Sequence, residues 1–188
     1  VGAAVSTSSA MSSGGFSIAV TGGTVTVQGK QVTVSTDDSL TTTLAAIKTA
    51  VGGSFDYSVS GDKVTLTDSS EIVLGSATDT SNFLQALRLN ANGTTSISSS
   101  GKLGGIDISV TPANANFTDG AGAASGSFKI NGTTISWDSS ATITDILDKI
   151  NSSEASVYAN YDPVNDRFLL TNKTTGDVGI TLEDVTGD

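Results

Sequence analysis

The sequence predicts a β-rich α+β fold: two similar small domains, each a mainly antiparallel sheet of hairpins packed on one short helix. Three observations carry this prediction. Val, Ile and Thr are plentiful and strong helix formers scarce, which favours strands. Short runs of alternating apolar residues recur between Gly- and Asn-containing turn signals. The order hairpin, helix, hairpin occurs twice, with the first hairpin and the helix repeating at a spacing of 103 residues.

Residues 1–15 are small and polar, end in Gly14-Gly15, and read as an extended or disordered lead-in. Phe16-Ser-Ile-Ala-Val20 alternates as a strand does, and Gly22-Gly23 reads as a turn. Val25 and Val27, then Val32 and Val34, flank a hairpin turn at 28–31, where Gly29 supplies a positive φ. Asp37-Asp38-Ser39 offers oxygens to a helix N-terminus. Leu40, Leu44, Ile47 and Val51 then lie on one helical stripe, which Gly52-Gly53 stops. Phe55, Tyr57 and Val59 alternate, Gly61-Asp62 turns the chain, and Val64 and Leu66 return it. Ile72 to Leu74 reads as one more short strand. Residues 81–89 predict a short helix capped by Ser81 with Phe83, Leu84 and Leu87 buried. Residues 92–102 read as a loop, and 106–110 as a strand ended by Pro112.

Residues 114–126 are rich in Ala, Gly and Asn with one bulky residue, Phe117, a composition that marks a connection. The expected domains are therefore 1–112, with its hairpin-helix-hairpin unit at 16–75, a linker at 113–126, and 127–188. In the second domain Phe128 and Ile130 lead into Asn131-Gly132, a strong hairpin signal, and Ile135 and Trp137 return. Thr142 and Asp145 have the spacing of a capping box. Ile143, Ile146, Leu147 and Ile150 form a full helical stripe. Val157, Ala159 and Tyr161 alternate, 162–166 turns, Phe168 and Leu170 return, and Ile180 and Leu182 close the chain. At the spacing of 103, Gly29, Val32, Val34, Leu40, Leu44 and Ile47 match Gly132, Ile135, Trp137, Ile143, Leu147 and Ile150. Every match falls on a turn or core position. At a spacing of 108, Ile72 and Leu74 meet Ile180 and Leu182, and a counterpart of Phe83-Leu84 would lie just past residue 188.

Composition excludes several functions. The net charge is −10, and both 1–112 and 113–188 are acidic, so a phosphate backbone would be repelled and no nucleic-acid partner is expected. Cys and His are both absent, which removes disulfides, thiolate or imidazole zinc sites and Ser-His-Asp catalysis. No apolar run approaches the roughly 18 residues of a membrane span, so membrane insertion is not expected. Val1-Gly-Ala-Ala-Val-Ser has no basic region and no initiator Met, so it does not read as a signal peptide, and the chain reads as a fragment.

Four features were weighed for chemistry. Asp37-Asp38 sits at a helix start, where carboxylates offset the helix dipole. Asp162-Pro-Val-Asn-Asp166 has the oxygen density of a weak calcium loop but lacks EF-hand spacing and its central Gly, so it reads as a solvated turn. Asp145 and Asp148 lie on the polar helix face, without the cleft that acid/base work needs. Trp137 follows the inward pattern of its hairpin and is expected to be mainly core. Asn92, Asn116, Asn131, Asn151 and Asn172 head formal glycosylation sequons, which a chain so rich in Asn, Ser and Thr contains by composition. No catalytic, cofactor-binding or metal residue is assigned, and no cofactor is expected.

Ile130-Asn131-Gly132, the helix ending Lys149-Ile-Asn-Ser-Ser153, Val157-Tyr-Ala-Asn-Tyr-Asp162 and Arg167-Phe-Leu-Leu-Thr171 together resemble the "IN" motif of flagellar axial proteins. The family most similar is that of bacterial flagellar filament-capping proteins, a class of hook-associated protein. Residues 174–184 and Ser81-Asn-Phe-Leu-Gln-Ala-Leu87 resemble segments of the same family. The resemblance implies a non-enzymatic structural protein, the central plate domains of a cap that promotes flagellin assembly at the filament tip, outside the cell. It implies flagellin subunits as partners and self-association into a ring through long terminal helices that this chain does not carry. The fragment itself is expected to be monomeric. The alternatives are a variable domain of flagellin or of a hook-filament junction protein, or an adhesin module for host glycans or mucin.

Overall fold

A computed structural model of the chain describes residues 2–120, 122–176 and 178–187. Val1, Ala121, Asp177 and Asp188, in the predicted lead-in, linker and closing segments, lie outside the described residues. The chain forms two compact units, Ala4–Gly105 and Val1–Ala3 with Ile106–Asp188. Small antiparallel sheets on short helices make each of them the predicted β-rich α+β type.

In the first unit, β1 (Gly23–Val27) and β2 (Lys30–Val34) form a hairpin whose turn residues Gln28 and Gly29 have φ of 52° and 71°. Two successive positive φ values match the twist of the flanking strands. α1 (Leu40–Val51) begins at Ser39, whose Oγ accepts the Thr42 N–H at 3.1 Å, and ends at Gly52 with φ 70°. β3 (Asp56–Ser60), β4 (Lys63–Ile72) and β5 (Thr94–Ser98) make a three-stranded sheet. A single helical turn, α2 (Phe83–Ala86), completes the unit. Leu40, Leu44 and Ile47 of α1 share one buried core with Val25, Val27, Val34, Phe55, Leu66, Phe83 and Leu87.

The second unit repeats this plan. β6 (Gly126–Ile130) and β7 (Thr133–Trp137) turn at Asn131-Gly132, with φ of 50° and 80°. α3 (Ile143–Ser152) opens with the predicted capping box: Thr142 Oγ1 accepts the Asp145 N–H at 3.1 Å, and Asp145 Oδ2 accepts the Thr142 N–H at 2.9 Å. β8 (Val157–Asp162) and β9 (Arg167–Asn172) form a second hairpin. β10 (Leu182–Thr186) adds to β6, giving the sheet order β10-β6-β7.

Matched positions make matched contacts. Val27 bridges Leu74, as Ile130 pairs with Leu182. Gln28 N–H donates to Val73 O at 2.8 Å while its Oε1 accepts the Val73 N–H at 3.0 Å. Asn131 does the same with Thr181, at 3.0 Å both ways. The agreement extends upstream of anything the sequence reading matched. Thr41 donates from N and Oγ1 to Thr7 O at 3.1 and 2.9 Å, and Thr144 from N and Oγ1 to Ile108 O at 2.9 and 2.8 Å. Met11–Ser13 and Pro112–Asn114 each form one 3-10 turn. In both units a lead-in therefore delivers carbonyl oxygens to the helix N-terminus, where N–H groups have no intrahelical acceptor.

This accounts for several corrections. The lead-in is tied down: Met11 is buried, and Met11 N and Ser12 N donate to Asp38 O and Thr36 O at 2.9 Å. The expected strand at 106–110 is absent, because the carbonyls of Ile108 and Val110 accept from Thr144 N and Ile143 N at the start of α3. Residues 106–120 and 122–125 lead into the second unit, with Ala115 fully buried. Phe16–Val20 is likewise no strand. Its end is held by side chains, Asn82 Nδ2 donating to Ala19 O at 2.8 Å and Ser81 Oγ to Thr21 O at 2.6 Å. Gly23 belongs to β1 and not to a turn. The helix expected over 81–89 is cut to one turn because Arg88 takes a φ of 54°. The loop expected at 92–102 contains β5, which reads as polar because four of its five residues are exposed.

Candidate functional site

Of the candidate carboxylates, Asp145, Asp162 and Asp166 serve the fold. Asp145 closes the capping box, and the Thr142 N–H, followed by the Thr142 hydroxyl, holds its carboxyl below the usual carboxylate range. Asp148, on the same helix, is exposed. Asp37 and Asp38 are exposed beside Ser39, which supplies the actual cap. In the 162–166 turn the two carboxylates serve different partners. Asp162 accepts from Asn165 Nδ2 at 2.6 Å, and from Val164 N and Asn165 N at 3.0 and 3.2 Å. The Asn165 side-chain bond is the main reason its carboxyl lies below the usual range. Asp166 instead accepts from Tyr161 Oη at 2.5 Å, Gly2 N at 2.7 Å and Ile106 N at 3.4 Å. Its counterpart Asp62 accepts from Val5 N and Gly104 N, both at 2.9 Å. Each of these two aspartates ties its own unit's lead-in to a hairpin turn, and both stand at positive φ, 61° and 50°. Among the described residues no group of three or more His, Cys, Asp or Glu could hold a metal ion. Among them, too, no helix is long and apolar enough to cross a membrane.

The sequon asparagines act as backbone clamps. Asn131 Nδ2 donates to Ala155 O at 2.9 Å, and Asn151 Nδ2 to Ala159 O at 3.0 Å. Asn92, Asn116 and Asn172 donate to Leu74 O, Ala3 O and Val178 O. Asn151 and Asn92 also accept the N–H of the same residue they donate to, at 2.7 and 2.6 Å, a pairing that mimics a strand neighbour. The amide nitrogen that glycosylation would modify is thus engaged at all five positions.

What remains is a surface. The second unit carries an apolar groove of about 500 Å³, bounded by Phe128, Trp137, Ile146, Leu147, Phe168 and Leu182. Trp137 was expected mainly in the core. It is half-buried, its ring 5.8 Å from that of Phe128 and its Nε1 donating to Ala123 O at 3.3 Å. The inward pattern of the hairpin does face the helix, but nothing among the described residues closes the groove over it. Phe168, on the returning strand, and Leu182, on the closing one, are 38% and 66% exposed. Alternation shows which residues face one way and not whether a layer covers them, so the openness of the groove leaves no mark in the sequence pattern.

No protein-family model matches the chain, and no solved structure matches it. The chain is similar to flagellar hook-associated protein 2 of Thermotoga maritima, 32% identical over an alignment of 158 residues that covers 80% of this chain. Those residues are 26% of that protein, so the chain spans about a quarter of the relative's length. The aligned stretch is longer than either unit, and the similarity to a flagellar hook-associated protein therefore runs through both.

Proposed function

We propose that the chain is a structural, non-enzymatic part of the bacterial flagellum: two central plate domains of a filament cap that promotes flagellin assembly at the tip. The observation that carries this reading is the similarity to a flagellar hook-associated protein over 80% of the chain. The matched turns, caps and lead-ins support reading the two units as copies of one flagellar "IN" building block. Side-chain use supports a mechanical role, since the carboxylates and amides with the best candidate chemistry hold turns, caps and lead-ins in place. On this reading the partners are flagellin subunits and further copies of the full-length protein in a ring, and the location is outside the cell.

The test is immunogold electron microscopy of intact flagella with antibody raised against the 188-residue chain. Label confined to the distal tip is the expected result. Label along the filament would assign the chain to a flagellin variable domain, and label between hook and filament to a junction protein. Either result would overturn the cap reading.

A further inference from the structure

The groove on the second unit has a filled counterpart in the first. There the matching walls are sealed by the segment that follows the β1 pairing: Phe83, Ala86 and Leu87 are each 0% exposed and share one core with Val25, Val34 and Leu44. At the spacing of 103, those three correspond to Phe128, Trp137 and Leu147, all only half-buried. The deeper positions Val27 and Ile130, or Leu40 and Ile143, are buried in both units.

The path into the groove is laid out in the same way. In the first unit Thr80 pairs with Thr24 beside β1, hydroxyl to hydroxyl at 3.3 Å, and Phe83 enters the core three residues later. In the second, Thr186 pairs with Ser127 of β6 in the same manner at 3.0 Å. We propose that the groove is the seat of a short helix with the Phe-Leu-x-Ala-Leu pattern of residues 83–87, carried on the same polypeptide after β10. The chemistry fits. The walls are almost wholly carbon, which suits the apolar face of one helical turn. They lack the convergent polar groups that orient a small ligand. The inference rests on comparing the two units and does not depend on the flagellar reading.

The experiment extends the chain directly after Asp188 with the sequence of residues 83–90, Phe-Leu-Gln-Ala-Leu-Arg-Leu-Asn. A control tail places serine at the residues copied from Phe83, Leu84 and Leu87. Trp137 is the only tryptophan and lines the groove, so its emission reports on occupancy. The apolar tail should shift that emission to the blue and abolish binding of a hydrophobic dye. It should also raise the midpoint of the Trp137-reported melt by about 5 °C or more. The serine tail should do none of these. Equal spectra and midpoints for the two tails would overturn the proposal. So would a blue shift in the untailed chain that grows with protein concentration, because it would assign the groove to a second copy.

Discussion

Asn131 stands where most of the second unit's connections meet, and replacing it is the sharpest test of how that unit is held. Its Nδ2 donates to Ala155 O at 2.9 Å and its Oδ1 accepts the Thr181 N–H at 3.0 Å. Its backbone sits at φ 50°, a region Asn tolerates and Ala does not. Asn131→Ala removes these two hydrogen bonds, each worth about 0.5–1.5 kcal/mol net, together with a longer one from Thr181 Oγ1 at 3.4 Å, and adds about 1 kcal/mol of backbone strain. The expected loss is about 2–4 kcal/mol, a large share of the roughly 5–15 kcal/mol by which domains are stable. Asn131→Asp keeps the acceptor and the tolerance of positive φ and loses only the donor, so it should cost about a third as much. Urea unfolding followed through Trp137 measures both, since no other tryptophan contributes. A loss below about 0.5 kcal/mol for Asn131→Ala, or equal losses for the two variants, would refute the clamp reasoning.

Two further outcomes follow from the first unit's core and from the acids of both units. Phe83→Ala, at a side chain with no exposure, should cost the first unit about 3–5 kcal/mol by cavity formation, read by calorimetry. A loss under about 1 kcal/mol would mean that α2 does not plug that core. Stability should fall on acidification. Burial pushes the Asp79 carboxyl up, but hydrogen bonds from Thr26 and Ser76 outweigh it and leave it below its ordinary 3.8. Asp145 and Asp162 are lowered in the same direction by Thr142 and Asn165. A folded-state value below the unfolded one gives stability that is complete above the unfolded value and is lost as pH falls through the folded one. Melting midpoints should therefore hold steady from neutrality down to about pH 5 and drop below about pH 4. A rise in stability between those two values would contradict the assignment.

Much of the fold was legible because the hairpin turns and helices carry strong local signals. Asn131-Gly132 fixes its own turn, and the Thr142 to Asp145 spacing fixes the start of α3. The lead-ins were illegible for the opposite reason. Thr7 and Ile108 share no side-chain character, and what they have in common is a backbone carbonyl offered to Thr41 and Thr144. A matched pair of threonines 103 residues apart was the available signal, and it lies on the exposed side of each helix, where the eye follows the apolar stripe. The strand expected at 106–110 failed on the same point. Alternation at Ile106, Ile108 and Val110 is real, but their backbone groups find partners in a helix end and in Tyr161 rather than in a ladder. The groove was half legible: its walls were named, while its openness depends on what packs above them.

The glycines at Gly23 and Gly126 show what kind of object each unit is. A Cβ on Gly23 would stand 2.5 Å from Thr80 Oγ1 and 2.8 Å from Ser81 N, and one on Gly126 would stand 2.5 Å from Thr186 O. At each of these points the strand that begins a hairpin-helix-hairpin unit touches the segment that leaves it. Entry and exit side by side let such a module be spliced into a surface loop, or copied in tandem, without prising apart its host. Any side chain there would wedge the doorway open, so variants of Gly126 should be tolerated far less well than the surrounding small, polar sequence suggests.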